Sequence, residues 1–221
     1  MQILITAGGT REPIDGVRYI GNTSTGRTGA VLADYLQTQG HDVTWLGAQS
    51  SLKPGLVTDC HIYVTSRQLA DGLQSLLSSR SFDAVFHAAA VSDYQVDSVT
   101  SLGESVFSEK NLKIHSDANT LQINLSRQPK IIDSLKQWSS NKSVQVVGFK
   151  LTHSKDPEQH KQAIEKLLNR EGVDAVVHND MNDISESHHP FTLHVPGRSP
   201  IDCDDILTVY RVLATLWEMN A

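Results

Sequence analysis

Apolar residues along this chain come in short runs, each followed by a polar, glycine-bearing break and then a stripe at helical spacing. Ile3-Leu4-Ile5 reads as a buried first strand closed by Gly8-Gly9. After a loop rich in Gly, Thr, Ser, Asn and Arg, a helix starting near Thr25 to Arg27 carries Val31, Leu32, Tyr35 and Leu36 on one face. Gly40 ends it and residues 43–46 supply a second strand, for which a right-handed parallel crossover is expected. Residues 61–64 form a third strand. Ser66 is the expected N-cap of the next helix, with Leu69, Leu73, Leu76 and Leu77 inward.

The alternation continues. Residues 84–90 read as a strand ending in small residues, which let a ligand lie against the backbone at the strand's carboxyl end. Nothing in 95–109 is periodic, and a long loop is expected there. Residues 112–115 and 121–125 alternate with period two and suggest a small hairpin outside the main sheet. Pro129 is placed to open a helix bearing Ile131, Ile132, Leu135 and Trp138. Residues 144–149 form another strand. Asp156-Pro157 then starts a helix with Ala163, Ile164, Leu167 and Leu168 inward. Residues 174–178 make the next strand and 191–195 an antiparallel edge strand. A last helix from Asp204 carries Ile206, Val209, Leu213, Leu216 and Trp217. Together these predict an α/β fold, a doubly wound, mostly parallel Rossmann-like sheet with a small β-hairpin extension, as one domain over residues 1–221.

Composition narrows the function classes. At 39% hydrophobic and 20% charged residues the chain is an ordinary globular one, not a disordered one. A net charge of -6 argues against a nucleic-acid partner, but a local group of Arg and Lys can still oppose the overall sign and hold a small anion. Cys60 and Cys203 are far apart and lack a CxxC partner, so they are expected as reduced, half-buried thiols of a cytoplasmic protein. No run approaches membrane-spanning length and the first residues read as a strand, not a leader, so no membrane partner is expected.

The candidate chemistry lies in the first loop. Arg11, Arg18 and Arg27 stand there with Asn22, Thr23, Ser24 and Thr25, a dense set of anion donors between a strand and a helix N-terminus. The dinucleotide fingerprint GxGxxG is absent after the first strand. Residues 21–28 fit a P-loop except that Arg27 replaces its lysine, and a planar guanidinium does not substitute for that compact charge. Among the ten histidines, His188-His189 and His194 are the one cluster. No metal-ligand spacing accompanies them, so no metal site is assigned to protein ligands.

The run T-x-G-x-T-R-E-P-I-D-x-V-R-x-I-x-N-x-S-x-G, from Thr6 to Gly26, resembles phosphopantothenoylcysteine synthetase. The likeness continues through Ala89-Ala90-Val91-Ser92-Asp93-Tyr94, Lys113-Ile114, Pro129-Lys130-Ile131-Ile132, Gly148-Phe149-Lys150-Leu151 and Asn179-Asp180. It implies a stand-alone phosphopantothenate–cysteine ligase without the decarboxylase domain, acting as a homodimer with the hairpin near the subunit boundary. The partners implied are 4'-phosphopantothenate, L-cysteine and a nucleoside triphosphate, CTP or ATP, with Mg2+. The rival reading from the residues is a non-catalytic nucleotide-sensing module of the same fold.

The resemblance also implies residue roles. Asn22 would hold the substrate carboxylate and acyl intermediate, and Lys113 (or Lys110) the developing charge on the α-phosphate. Arg18 and Ala90 would bind the acid substrate. The nucleotide would lie over Gly8, Gly9, His87, Ala88 and Ala89, with Ser24 on a phosphate and Asp93 on the ribose or metal. Pro129, Lys130, Ile131, Ile132 and Phe149 would frame the base, and Lys166 and Arg170 would hold phosphates. Three departures are visible: Arg27 for a lysine, Gly8-Gly9-Thr10 for Gly-Pro-Thr, and Phe149-Lys150-Leu151-Thr152 for Phe-Ala-Ala-Glu-Thr. The bacterial-type first loop leans the base towards CTP.

Overall fold

The structure, a computed structural model, describes residues 1–101, 104–105, 113–114, 119–185 and 188–219. Strand β1 (Gln2–Ala7) buries Ile3, Leu4, Ile5 and Ala7 completely. Both its faces are covered, which is why the sequence there is apolar without alternation. The loop after it contains a hairpin, β2 (Arg11–Pro13) with β3 (Tyr19–Gly21). Arms of three residues are too short to print a period-two pattern.

Helix α1 (Arg27–Thr38) buries Leu32 and Leu36, with Gly29, Ala30 and Ala33 beside them, while Val31 is exposed. Its small residues bring the helix down onto β1: a Cβ on Gly29 would stand 2.6 Å from that of Ala7. β4 (Asp42–Ala48) and β5 (Asp59–Tyr63) continue the sheet in parallel. Helix α2 (Ser66–Ser79) buries all four expected leucines. Its N-cap is Thr65, one residue before the expected Ser66, because Thr65 and Gln68 form a reciprocal capping box.

β6 (Ala84–His87) flanks β1 on the other side. The expected long loop at 95–109 begins as a strand. β7 (Tyr94–Ser101) pairs antiparallel with β8 (Glu104–Ser105) and with β9 (Gln122–Arg127). A register shift between Val96 and Ser98 breaks the period-two pattern, so the strand is not legible as one. Residues 122–127 pair with β7, and of their expected hairpin partner 112–115, Leu112 and His115 lie outside the described residues. Pro129 precedes a 3-10 turn, Ile131–Ser134, instead of opening a helix, and α3 (Leu135–Trp138) follows.

β10 (Gln145–Thr152) lies next to β6, and Asp156 caps α4 (Pro157–Leu168) as expected. Of the inward positions predicted on α4, Ile164 is buried and Ala163, Leu167 and Leu168 are half-buried. β11 (Ala175–Asp180) is the last parallel strand. β12 (Phe191–His194) is antiparallel as expected but is not the edge, because β13 (Ile201–Cys203) pairs outside it. Asp205 caps α5 (Ile206–Glu218), which buries Tyr210 with Ile206, Val209 and Leu213.

Among the described residues the main sheet has eight strands, ordered β13-β12-β11-β10-β6-β1-β4-β5. Helices α1 and α5 pack on one face, against Ile3, Ile5, Trp45 and Phe86. Helices α2, α3 and α4 pack on the other, against Leu4, Leu46, Val85 and Val146. The chain steps outward from β1 to β4 and β5, then returns to β6 on the opposite side. The carboxyl ends of β1 and β6 therefore border the crevice where open α/β sheets take their ligands. Cys60 is exposed and Cys203 buried, on opposite margins of the sheet and both free. No helix among the described residues is long and apolar enough to cross a membrane.

Candidate active site

Beyond β1 and β6 the two chains run on side by side. Gly9 bridges Ala90. The Ala90 N–H donates to the Gly8 carbonyl at 2.8 Å, and the Thr10 N–H donates to the Ala90 carbonyl at 3.1 Å. Two buried hydroxyls fasten the same strip. Thr6 Oγ1 accepts from the Ala89 N–H at 3.1 Å, and Thr10 Oγ1 from the Ser92 N–H at 2.9 Å. The Tyr63 hydroxyl, also buried, lies 2.8 and 3.0 Å from the Ala7 and Gly8 carbonyls. The result is a fixed bed of small residues, Ala88 to Ala90, outside the end of the sheet.

Glycine is required at two points of this bed. Gly8 has φ +87, and a Cβ there would stand 2.7 Å from the Cβ atoms of Ala48 and Ser51. At Gly9 a Cβ would stand 2.2 Å from the Asn22 carbonyl oxygen. The bare strand thus lets the Asn22 backbone lie directly on it. The Asn22 side chain donates one amide N–H to the Val91 carbonyl at 3.0 Å, which leaves a second donor and the amide oxygen for a ligand. Ser24, next along, accepts from the Gly26 N–H at 3.4 Å. Gly26 begins α1 with no side-chain cap, and a Cβ on it would come within 3.3 Å of the Gly8 nitrogen. Thr25 Oγ1 accepts from the Arg27 N–H at 3.4 Å, and the positive end of α1 stands beside the end of β1.

His87 contributes backbone and not charge. Its ring is buried, with Nδ1 3.0 Å from Thr6 Oγ1. Burial lowers its pKa to about 4, so the imidazole is neutral near pH 7. Because Thr6 already accepts from Ala89, its own proton is free to go to His87 Nδ1, which favours the Nε2–H tautomer.

Two of the three arginines in the first loop have structural work. The Arg11 guanidinium lies over the Tyr19 ring, 4.4 Å from its centre. Arg18 donates from Nε to Asp15 at 2.8 Å and from Nη2 to the Ile114 carbonyl at 2.9 Å. Buried Glu12 accepts from the Ser66 N–H at 2.9 Å, at the start of α2, and fixes the hairpin to the sheet. Arg27 is exposed at the head of α1. Lys113 is exposed beside Ile114, and Lys110 lies outside the described residues.

The remaining expected contacts divide. Asp93 is ion-paired with Lys130 next to Pro129, beside the bed, and its carbonyl accepts from the Gln128 N–H at 2.8 Å. Ile131 and Ile132 are buried in the layer of α2, α3 and α4, whereas Phe149 packs in the layer of α1 and α5. The sheet separates them, so their side chains do not face one another. Arg170 lies in the turn into β11, at the amino ends of the strands, and binds Asp133 through two contacts of 2.6 Å. Lys166, in the last turn of α4, is exposed near that same end. Neither stands with Gly8, Asn22 and His87.

Thr6, Thr10 and Tyr63 were not among the residues expected from sequence. The two threonines are visible in the T-x-G-x-T opening, but no local pattern marks Tyr63. Asn179 donates to His189 at 2.8 Å, and that ring stacks on Phe191 at 4.4 Å. Among the described residues no group of three or more His, Cys, Asp or Glu is arranged to hold a metal. A separate cavity of about 670 Å³ runs along α4 and strands β11 to β13, with His160, His178, His194 and Phe191 in its wall.

Residues 1–193 match the family described as DNA/pantothenate metabolism flavoprotein C-terminal domain. The bifunctional coenzyme A biosynthesis protein CoaBC of Thermococcus kodakarensis is 32% identical over 192 residues, which are 87% of this chain and 44% of that protein. CoaBC of Vibrio vulnificus strain CMCP6 is 32% identical over 209 residues, 94% of this chain and 45% of the relative. The chain thus spans less than half the length of these curated relatives. A crystal structure of the DNA/pantothenate metabolism flavoprotein from Streptococcus pneumoniae superimposes with a TM-score of 0.85 at 27% identity, covering both chains fully. A Cab2 H337A mutant in complex with phosphopantothenate-cysteine shares the fold, with a TM-score of 0.75 at 19% identity over 97% of this chain and 85% of that one. By the match across most of its length, this chain belongs to the DNA/pantothenate metabolism flavoprotein C-terminal domain family.

Proposed function

We propose that this chain is a phosphopantothenate–cysteine ligase unit of coenzyme A biosynthesis. The observation that carries the reading is Asn22, its backbone seated on Gly9 and its side-chain amide held to the Val91 carbonyl, at the crevice between β1 and β6 beside the start of α1. A carboxylate and a triphosphate meeting there need neutral donors and positive potential but no bulk, and that is what Asn22, the α1 N-terminus and Ala88 to Ala90 offer. The names of the CoaBC relatives agree with this reading.

In the first step the carboxylate of 4'-phosphopantothenate attacks the α-phosphate of the nucleotide, giving an acyl-nucleotide and pyrophosphate. In the second the cysteine amine attacks the acyl carbon, forming the amide and releasing the nucleoside monophosphate. Asn22 donates to the carboxylate and then to the acyl oxygen. Lys113 opposes charge on the α-phosphate. One such donor is typically worth roughly 3 kcal/mol when deleted. A Mg2+ ion brought with the nucleotide would be held by phosphate oxygens and one or two carboxylates. Asp93, exposed at the edge of the bed, suits that role, and the ion would offset the charge of the triphosphate.

The assembly we propose is a homodimer in the cytoplasm, with residues 1–221 acting as one domain. Exposed Tyr94 and Leu125 on the outer three-stranded sheet supply apolar surface for such a contact. The reading is tested by pyrophosphate release from 4'-phosphopantothenate with CTP or ATP, with and without cysteine. Pyrophosphate without cysteine, and amide with it, is the expected result. Nucleotide binding with no pyrophosphate would make the chain a sensing module, and release of a nucleoside diphosphate would make it a phosphotransferase.

A further inference from the structure

Both backbone groups of Ile114 are held by side chains from the first hairpin. The Ile114 N–H donates to Asp15 Oδ2 at 3.1 Å, and the Ile114 carbonyl accepts from Arg18 Nη2 at 2.9 Å. These residues lie 99 and 96 positions away in sequence. Asp15 Oδ2 also takes Arg18 Nε at 2.8 Å, so acid, base and peptide unit close into one ring of contacts. Ile114 itself is 6% exposed. The Asp15 side chain is 2% exposed, and the Arg18 guanidinium with the surrounding N–H groups holds its carboxyl well below the usual carboxylate range. Nothing in this arrangement touches the bed at Gly9, and Lys113 is the residue immediately before the held peptide.

We propose that Asp15 is the positioning residue for Lys113: with Arg18 it clasps the Ile114 peptide and so sets where the neighbouring lysine stands. The inference rests on the ligase reading for the importance of Lys113, but the clasp itself can be measured without any activity. Asp15 divides its work between its two oxygens. Oδ1 accepts from the Val17 and Arg18 N–H groups at 2.9 and 2.7 Å and makes the turn. Oδ2 makes the clasp. Asp15→Asn can keep the turn through Oδ1 but places an NH2 against the donors of Arg18 and Ile114, so it opens the clasp selectively.

The first measurement is amide hydrogen exchange at Ile114, with trypsin cleavage of the Lys113–Ile114 bond read alongside. In Asp15→Asn, exchange and cleavage are expected to rise roughly tenfold, the scale of one charge-assisted hydrogen bond, while the thermal unfolding midpoint shows the fold is retained. The second is pyrophosphate release in Asp15→Asn, Lys113→Gln and the double variant, with Arg67→Gln at an exposed site as control. The double variant is expected to be no slower than Lys113→Gln alone. Unchanged Ile114 exchange in a folded Asp15→Asn protein, or losses that multiply in the double variant, would overturn the proposal. Should Asp15→Asn fail to fold, Arg18→Gln removes the carbonyl half of the clasp and must raise exchange of the same amide. A wild-type chain that releases no pyrophosphate would defeat the ligase reading, whereas the exchange result would still decide whether the clasp exists.

Discussion

Thr6 and His87 meet side chain to side chain across neighbouring central strands, Oγ1 to Nδ1 at 3.0 Å, directly beneath the bed that the candidate site uses. The pair couples the protonation of a buried ring to the backbone of Ala89, because the same hydroxyl accepts from the Ala89 N–H. Its consequence is a dependence of stability on pH. Burial lowers His87 from 6.5 to about 4, so the unfolded chain takes up a proton before the folded one does. Folding is therefore expected to weaken as pH falls from about 6.5 to about 4, by roughly 3 kcal/mol from this residue, and then to change no further on its account. His178, also lowered to about 4, through burial first and then the neighbouring His160, acts in the same window. Denaturant unfolding at pH 7 and pH 4 measures the difference, and His87→Asn should remove its share while leaving that of His178.

Gly9→Ala tests the contact between the first strand's extension and Asn22. The added methyl would meet the Asn22 carbonyl oxygen at 2.2 Å, and backbone cannot yield as a side-chain tip would. Asn22 must move off the bed. We expect amide formation to drop at least tenfold, on the scale of losing one oriented donor, with a thermal shift of only a few degrees. Activity close to wild type would mean that the close approach is incidental.

Asn22→Asp keeps the shape and replaces a neutral donor with a charge facing an anionic substrate. Near-complete loss of amide formation with an unaltered unfolding curve is the expected outcome. Wild-type turnover would remove Asn22 from the mechanism.

Tyr63→Phe takes away the hydroxyl shared by the Ala7 and Gly8 carbonyls. A cost of about 1 kcal/mol in stability is expected for that lost bonding, together with a raised KM for nucleotide, because Gly8 lies in the bed. Equilibrium unfolding and steady-state kinetics on the same preparation separate the two effects. A stability loss with KM unmoved would confine Tyr63 to the core.

Arg170→Gln distinguishes geometry from resemblance. The guanidinium is engaged with Asp133 at the amino ends of the strands, so its loss should cost about 0.2–1 kcal/mol as a partly exposed pair, with KM for the nucleotide unchanged. A tenfold rise in that KM would support the phosphate-binding role that the resemblance implied.

What the chain determines locally was legible in its residues. The central strands, the leucine face of α2, the Asp156 cap of α4 and the small residues after β6 all depend on spacing or on neighbours a few positions away, and hydrophobic periodicity reports those directly. The opening run of Gly, Asn and Ser likewise marked the crevice. Tertiary structure alone decided how the charged groups are used. Arg18 reads as an anion donor until the fold brings Asp15 and Ile114 to it. The resemblance implied a phosphate role for Arg170, and only the antiparallel course of α4 reveals its place at the amino ends of the strands, against Asp133. Strand β7 stayed hidden because its bulge cancels the alternation that would announce it. A side chain's local propensity is written in its neighbours along the chain, but its partner is chosen by contacts many tens of residues away, and only packing brings those together.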